Sequence, residues 1–520
     1  MRNSTRRGTK LAGTFAACAL ILAGCSAGTD NKGTSEPTAK AKDTITAQVA
    51  YASLKFDPTS TSGALPLAAN WHVTEALFDL DMATFKTYPA LAAGDPEKIS
   101  DTEYKFTLRK DAKFSDGEPV TPADVVKSFD RTMKEGSLYL SMLDFIDKVE
   151  PSGDNAVVIK LKKPFPLFLQ RLPLVHIVPA KATDAELTAK PIGTGPWKYV
   201  EINEQQVKFE KNDLYNGSKP APAKNMVWNV NVDDTARVTA MQQGDSDVME
   251  NVPAKAFKTL ESSGSKIETV QGFNQAFIMF NTKKAPFDNN KVRQAVFYAV
   301  DAQKLIENQL AGQAEAVTSF LPKNFANYHE AKVVYKHDVE KAKALLKEAG
   351  VNAPINTTLY TTDHKWVTDL APQIKNNLAE VGINVKIESM KSSALYPNIT
   401  DKDNADFSMV LAPGDPSVFG NDPDLLMNWW YGDNAWTKKR TFWNGSEGYK
   451  QLHAAMDKAL ASEGDAQQQA WNECFDILSE QVPLYPLFHR KVSTAVKDGV
   501  FSEFQPIGTT GLSFLNAKLK

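Results

Sequence analysis

Residues 355–387 constrain the fold more than any other stretch. Ile355 to Thr362 has strand length and composition, Val367 to Glu380 has helical apolar spacing, and Ile383 to Ile387 returns to strand character. Strand–helix–strand at this spacing is a βαβ unit, whose two strands lie parallel and joined by a right-handed crossover. Parallel strands need both faces covered, so the chain is predicted to be α/β. The apolar run Phe407 to Leu411 reads as another strand of the same sheet, and it is expected to stop at Pro413-Gly414-Asp415-Pro416, because proline cannot donate to a central ladder. Asp415 then stands just past a strand end, where sheets covered by helices bind ligands. Asp422, Asp424 and the cluster Trp429-Trp430-Tyr431 follow. A carboxylate beside flat aromatic surface suits an extended, partly apolar ligand with a cationic end. An acidic surface loop over core tryptophans is the plainer reading of the same residues.

A chain of 520 residues exceeds what one hydrophobic core can serve, so two or three lobes are expected. The N-terminus has its own signature. Arg2, Arg6, Arg7 and Lys10 lead into the apolar segment Leu11 to Leu22, which is too short for a permanent membrane span. Leu22-Ala23-Gly24-Cys25 follows and resembles the bacterial lipobox, in which the cysteine is acylated and becomes the first mature residue. Ser26 to Asp43 is polar and rich in Ser, Thr, Gly and Lys, a composition that cannot bury a core. As a flexible tether it reaches about 25 Å. Residues 1–24 are thus read as a lipoprotein signal, 25–43 as a tether, and Cys25 as the lipidation site. Cleavage removes four basic residues and no acid, leaving 55 basic against 62 acidic side chains, a net charge of −7. That balance excludes a nucleic-acid footprint. Cys18 leaves with the signal and Cys25 carries lipid. Cys474 remains alone, on a helical face with Trp471, Phe475 and Leu478, so it reads as core and permits no disulfide.

Local signals divide the remainder. Ile45, Ala47, Val49 and Tyr51 alternate as a strand, and residues 71–80 read as a helix. Tyr104, Phe106 and Leu108 alternate as a half-exposed strand. Thr121-Pro122-Ala123-Asp124 starts a helix with an N-cap, a proline at the first position and an acid at the third. Val157, Ile159 and Leu161 form a second strand, which completes a small α+β unit. Asp233, Asp288 and Asp338 are expected to cap helices, with Gly244 and Gly350 closing the first and third of these.

Several of these blocks carry a resemblance. Tyr104-Lys-Phe-Thr-Leu-Arg-Lys-Asp-Ala-Lys-Phe-Ser-Asp-Gly-Glu-Pro-Val-Thr-Pro-Ala-Asp-Val-Val-Lys-Ser-Phe129 is long and specific. It is followed in order by Pro191-Ile-Gly-Thr-Gly-Pro-Trp197, Phe280-Asn281, Pro286 to Val296, Asp338 to Gly350 and Gly382 to Ile387. Together they resemble the bacterial extracellular solute-binding proteins of the dipeptide, oligopeptide and nickel group, which serve ABC importers. The resemblance implies a periplasmic-binding-protein-like α/β fold of class II (cluster C) type: two lobes, hinge strands and an inserted α+β subdomain. Motif order assigns 44–84 and 186–272 to lobe I, with 85–185 inserted between them. It assigns 273–483 to lobe II and 484–520 to a C-terminal return to lobe I, with crossings near Gly272 to Phe277 and Pro483 to Arg490.

It also implies a monomeric, lipid-anchored receptor outside the cytoplasmic membrane that hands peptide or another small ligand to an ABC permease, with no cofactor and no chemistry of its own. In peptide-binding relatives an aspartate of the second lobe pairs with the ligand's α-ammonium. Asp415 matches that position, although the inserted Pro416 to Asn421 leaves Asp422 as an alternative. Tyr51, Trp71, Phe419, Trp429, Trp430 and Trp436 are candidates for lining the cleft, and no basic residue stands out for a ligand carboxylate. A nickel chelate, haem, opine or oligosaccharide is an alternative ligand. Readings of another class are a secreted hydrolase and a surface adhesin or chaperone. Against the hydrolase, the chain lacks His-Glu-x-x-His, Gly-x-Ser-x-Gly and Cys-x-x-Cys, and its seven histidines show no metal-ligand spacing.

Overall fold

The computed structural model describes residues 42–352 and 354–520. The signal segment, Cys25 and the tether up to residue 41 lie outside the described residues. An eleven-stranded mixed sheet organises the body. The βαβ unit forms one end: Ile355–Thr362 is parallel to Ile383–Met390 on one side and to Met409–Gly414 on the other. At the opposite end Thr44–Val49 is parallel to Asn225–Val230, which continues as an antiparallel meander through Gln206–Lys211 and Trp197–Ile202.

Two long antiparallel strands join these halves, Ser265–Phe280 with 16 residues and Leu484–Lys497 with 14. At roughly 3.3 Å per residue each is long enough to serve both. Their register breaks between Gln271 and Gln275, and burial changes at the same place. Residues 266–271 are exposed or half-buried, whereas every residue from Phe273 to Phe280 is buried. Gly272 is required there, because a Cβ would lie 1.7 Å from the Gly508 carbonyl oxygen. The backbone of the C-terminal segment crosses the long strand at that point.

Each half has its own core. Ile45, Val49, Trp197, Phe209, Trp228 and Phe514 pack together in the first. The second is built on Phe273, Phe277, Met279, Leu359, Ile374, Leu411 and Trp430, and it continues into the inserted unit through residues such as Phe106 and Leu143. That unit is a four-stranded antiparallel sheet, in the order Glu97–Ser100, Glu103–Thr107, Ala156–Leu161, Ile146–Pro151, with the helix Pro122–Thr132. The helix opens with the expected capping box: the Asp124 carboxylate accepts from the Thr121 backbone N–H at 2.8 Å. Asp233 and Asp338 cap their helices as read, each accepting from the backbone N–H three residues on. Cys474 is buried in the helix Gly464–Gln481 beside Trp471, Phe475 and Leu478.

Three local expectations are corrected. The helix read at 71–80 lies at Ala64–Val73, and Phe78–Asp81 is a strand paired with Lys86–Pro89. Eight of that helix's ten residues are buried, so no polar face marks its period in the sequence. The cap expected at Asp288 is one residue later, where the Asn289 side chain accepts from Lys291 N–H at 2.9 Å. The strand expected to stop before Pro413 runs on to Gly414. Past Leu411 it pairs only with Gln275–Phe277, so Pro413 sits where the strand has one free edge, and its missing N–H breaks no ladder.

Candidate functional site at the crossing strands

The strand Met409–Gly414 delivers Asp415 to the place where the C-terminal segment crosses. Gly414 has no room for a side chain, since a Cβ would lie 2.4 Å from the Trp430 ring, so the strand end runs flush over that tryptophan. Asp415 is half-buried. Its Oδ1 accepts from the Ser417 hydroxyl, and its Oδ2 accepts from Thr509 Oγ1 at 2.9 Å, Thr510 N–H at 2.8 Å and Thr510 Oγ1 at 3.0 Å. All four donors are neutral. Burial raises the Asp415 pKa, and these hydrogen bonds hold it back.

A second cluster lies near the crossing. Tyr51 follows the first strand, and its hydroxyl lies near Arg490, which projects from Leu484–Lys497. Arg490 Nη2 donates to Asn251 Oδ1 at 2.8 Å, and its guanidinium lies 4.0 Å from the centroid of the Trp366 ring. Desolvation lowers the Arg490 pKa, while Tyr51 opposes the shift. The Tyr51 ring also meets His364, with centroids 5.7 Å apart. Beside them Glu250 is buried. Its carboxylate accepts from Ala50 N–H at 3.0 Å and Gly511 N–H at 2.8 Å, and burial raises its pKa.

The remaining sequence candidates are distributed unevenly. Trp71 and Phe419 line one cavity of about 30 Å³ together with Tyr139, His176 and Asp79, room for about one water molecule. Phe419 stands edge-on to Tyr139 at 5.3 Å and packs against Trp429 at 5.1 Å. Trp430 is fully buried against Phe273 and Phe277, and Trp436 is buried under the Arg440 guanidinium, 4.4 Å from its ring centroid. These two tryptophans serve the core.

Asp422, the alternative to Asp415, is engaged by other residues of the chain. It caps the helix Pro423–Tyr431 through Leu425 N–H at 3.0 Å, and together with Asp424 it neutralises Arg171, whose side chain is wholly buried. A buried guanidinium without those two acids would be costly, so both acids are engaged in neutralising it. His72 is likewise internal. Its Nδ1–H donates to the Ala68 carbonyl, its Nε2 accepts from Phe514 N–H at 2.9 Å, and burial lowers its pKa to about 4. Arg490, Glu250 and the Thr509-Thr510 pair were not among the sequence candidates. A charged residue directly after the apolar run ending at Phe488-His489, and two threonines between Gly508 and Gly511, were the only local marks.

Residues 86–438 match the family model described as bacterial extracellular solute-binding proteins, family 5 middle. The chain belongs to the family 5 solute-binding proteins. Curated relatives agree. The glutathione-binding protein GsiB of Salmonella choleraesuis is 26% identical over 500 residues, 93% of this chain and 96% of GsiB. Heme-binding protein A of Haemophilus influenzae is 32% identical over 375 residues, 65% of this chain and 68% of that protein. Among solved structures, the periplasmic binding protein AgaA of A. tumefaciens R10 in complex with agropinic acid superposes with a TM-score of 0.80 at 26% identity, covering 92% of this chain and 99% of AgaA. The fold is therefore the periplasmic-binding-protein fold of family 5. Members of the family are extracytoplasmic substrate-binding proteins that work with ABC permeases, and the family role is binding, not catalysis.

Proposed function

We propose that this chain is the lipid-anchored capture subunit of an ABC importer and that it takes up peptides between its two halves. In this reading residues 44–84, 186–272 and 484–520 form one lobe and 273–483 the other, with 85–185 inserted in the first. The long strands flex at Gln271–Gln275 and near His489. Asp415 receives the ligand's ammonium, Trp71 and Phe419 cover its apolar part, and Tyr51 borders the opposite end. Cys25 carries the lipid. One observation carries the proposal: the carboxylate past the end of Met409–Gly414 meets only neutral donors, and three of the four come from the C-terminal segment. A ligand ammonium offers that carboxylate a charged partner, and binding it engages both lobes at once.

The relatives' named ligands widen the panel to be tested. Glutathione, heme and agropinic acid are chemically unlike one another. Calorimetry on the tag-free mature chain with di- and tripeptides, glutathione, heme and agropinic acid tests the reading, alongside native mass spectrometry of gently purified protein. We expect micromolar or tighter binding of at least one peptide. Binding of heme or agropinic acid with no peptide binding would replace peptide by that ligand. Cys25→Ala is expected to release the protein from the membrane fraction, and retention of the variant there would refute the anchor.

A further inference from the structure

Asp79, on the strand Phe78–Asp81, borders the cavity that Trp71 and Phe419 line. Its Oδ1 accepts from Ala76 N–H at 2.9 Å, and its Oδ2 takes no hydrogen bond among the described residues. The cations around it are engaged elsewhere. Arg109 donates to both oxygens of Glu75, at 3.0 and 2.9 Å. Lys219 lies 4.3 Å from the centroid of the Tyr88 ring and pairs with Asp81 at 2.9 Å. His176, on the same cavity, is bonded through Nδ1 to Thr74 Oγ1 at 2.8 Å, and burial lowers its pKa to about 4, so it is neutral. Burial and Glu75 push Asp79 up to about 8, against the Ala76 N–H, Arg109 and Lys219. An acid in that setting is costly in the empty protein, and a receptor keeps one where its ligand supplies the cation.

The walls suit the same cation. Trp71, Tyr88, Tyr139 and Phe419 present aromatic surface to the cavity. The cavity also adjoins Asp415. The Trp71 ring lies against Gly511, where a Cβ would come within 3.2 Å of it, and the neighbouring Thr510 N–H donates to Asp415 at 2.8 Å. In this form there is room for about one water molecule, about 30 Å³. Phe419 enters from the turn Pro416–Phe419, whereas Trp71 and Asp79 come from Ala64–Val73 and Phe78–Asp81, so parting of the halves widens the space.

We propose that this cavity is a side-chain pocket in which Asp79 receives the cationic end of a basic residue, so that the receptor prefers peptides with lysine or arginine at the first or second position. This rests on the reading of the chain as a peptide receptor with Asp415 as the ammonium site. The aliphatic stem of the side chain lies between Trp71 and Phe419, and its charge stops at Asp79 Oδ2. When the halves close on such a ligand, the turn Pro416–Phe419 stands off by the thickness of that stem.

The test uses alanine tripeptides that carry lysine, norleucine or Nε-acetyl-lysine at the first or second position, so that only the side-chain charge is removed. Calorimetry on the mature wild-type chain at pH 8 is expected to show the better lysine peptide binding about tenfold or more tighter than its norleucine and acetyl-lysine counterparts. The ratio of lysine to norleucine affinity is expected to fall as pH drops from 8 to 6, because Asp79 takes up its proton while the lysine stays charged. Over that range His176 and Tyr88 stay neutral, and the α-ammonium common to both peptides cancels in the ratio. In Asp79→Asn, with the melting temperature as the folding check, the lysine preference is expected to vanish while the norleucine peptide still binds. Equal affinity for lysine and norleucine peptides in the wild type at pH 8 overturns the inference, and so does a full lysine preference surviving in Asp79→Asn. Should Asp79→Asn not fold, the wild-type comparison and its pH dependence still decide. Binding without regard to lysine leaves the peptide-receptor reading standing while this inference falls, whereas binding of none of these peptides sinks both.

Discussion

Three carboxylates with different surroundings divide the labour at the scale of single residues. Asp415 meets neutral donors, Asp422 neutralises a buried arginine, and Asp79 is pushed up to about 8 by burial and the neighbouring Glu75. Each predicts a different phenotype. Asp415→Asn is expected to weaken peptide binding roughly 10- to 100-fold, the worth of one hydrogen bond to a charged group, with little change in melting temperature. Arg171→Met is expected to do the reverse. It strands Asp422 and Asp424 and costs about 3–5 kcal/mol in urea unfolding, while any surviving folded protein keeps its ligand preference. Asp79 has a folded pKa above the ordinary carboxylate value, so its stabilising proton is held at low pH and lost as pH rises toward 8. Asp79→Asn is therefore expected to stabilise the protein at pH 8, by on the order of 1 kcal/mol or more. That gain should shrink as pH falls to 5, and a gain independent of pH would contradict the assignment.

At the scale of elements, the crossing of the long strand by the C-terminal segment is the tightest point of the architecture. Gly272→Ala puts a methyl group into the Gly508 carbonyl and is expected to cost about 1–3 kcal/mol or more by overpacking, read as a lower urea midpoint. A neutral outcome would mean that the crossing is looser than the backbone approach implies. Element-scale features were the most legible in the sequence, and for a physical reason. The capping box at Thr121–Asp124 and the aspartate caps at 233 and 338 are local interactions, complete within four residues. The βαβ unit announces itself by a change of period. The helix Ala64–Val73 was not legible, because burial on nearly all sides erases the polar face that periodicity needs. Arg490, Asn251, Trp366 and Tyr51 are brought together only by tertiary pairing across hundreds of residues. No local spacing encodes that meeting, and for the same reason Trp430 and Trp436 looked no different in sequence from Trp71 and Phe419.

At the scale of the whole molecule, two continuous strands join the two halves, and the larger core runs from the second half into the inserted unit. In the proposed capture cycle the register break at Gln271–Gln275 is the flexing point, and the contact between Asp415 and the Thr509-Thr510 pair is expected to form on closing and break on opening. A hinge-bending trap requires the outer strands of the two halves to approach each other when ligand binds. Cysteines introduced at the exposed Lys211, on the strand next to one edge, and Lys386, on the opposite edge strand, report on that approach, and the buried Cys474 should stay unlabelled. The decisive measurement is the spin-label distance between 211 and 386, with and without a saturating peptide found by calorimetry. We expect a broad distribution that narrows and shortens on binding. An unchanged distribution at saturation would contradict capture by closure.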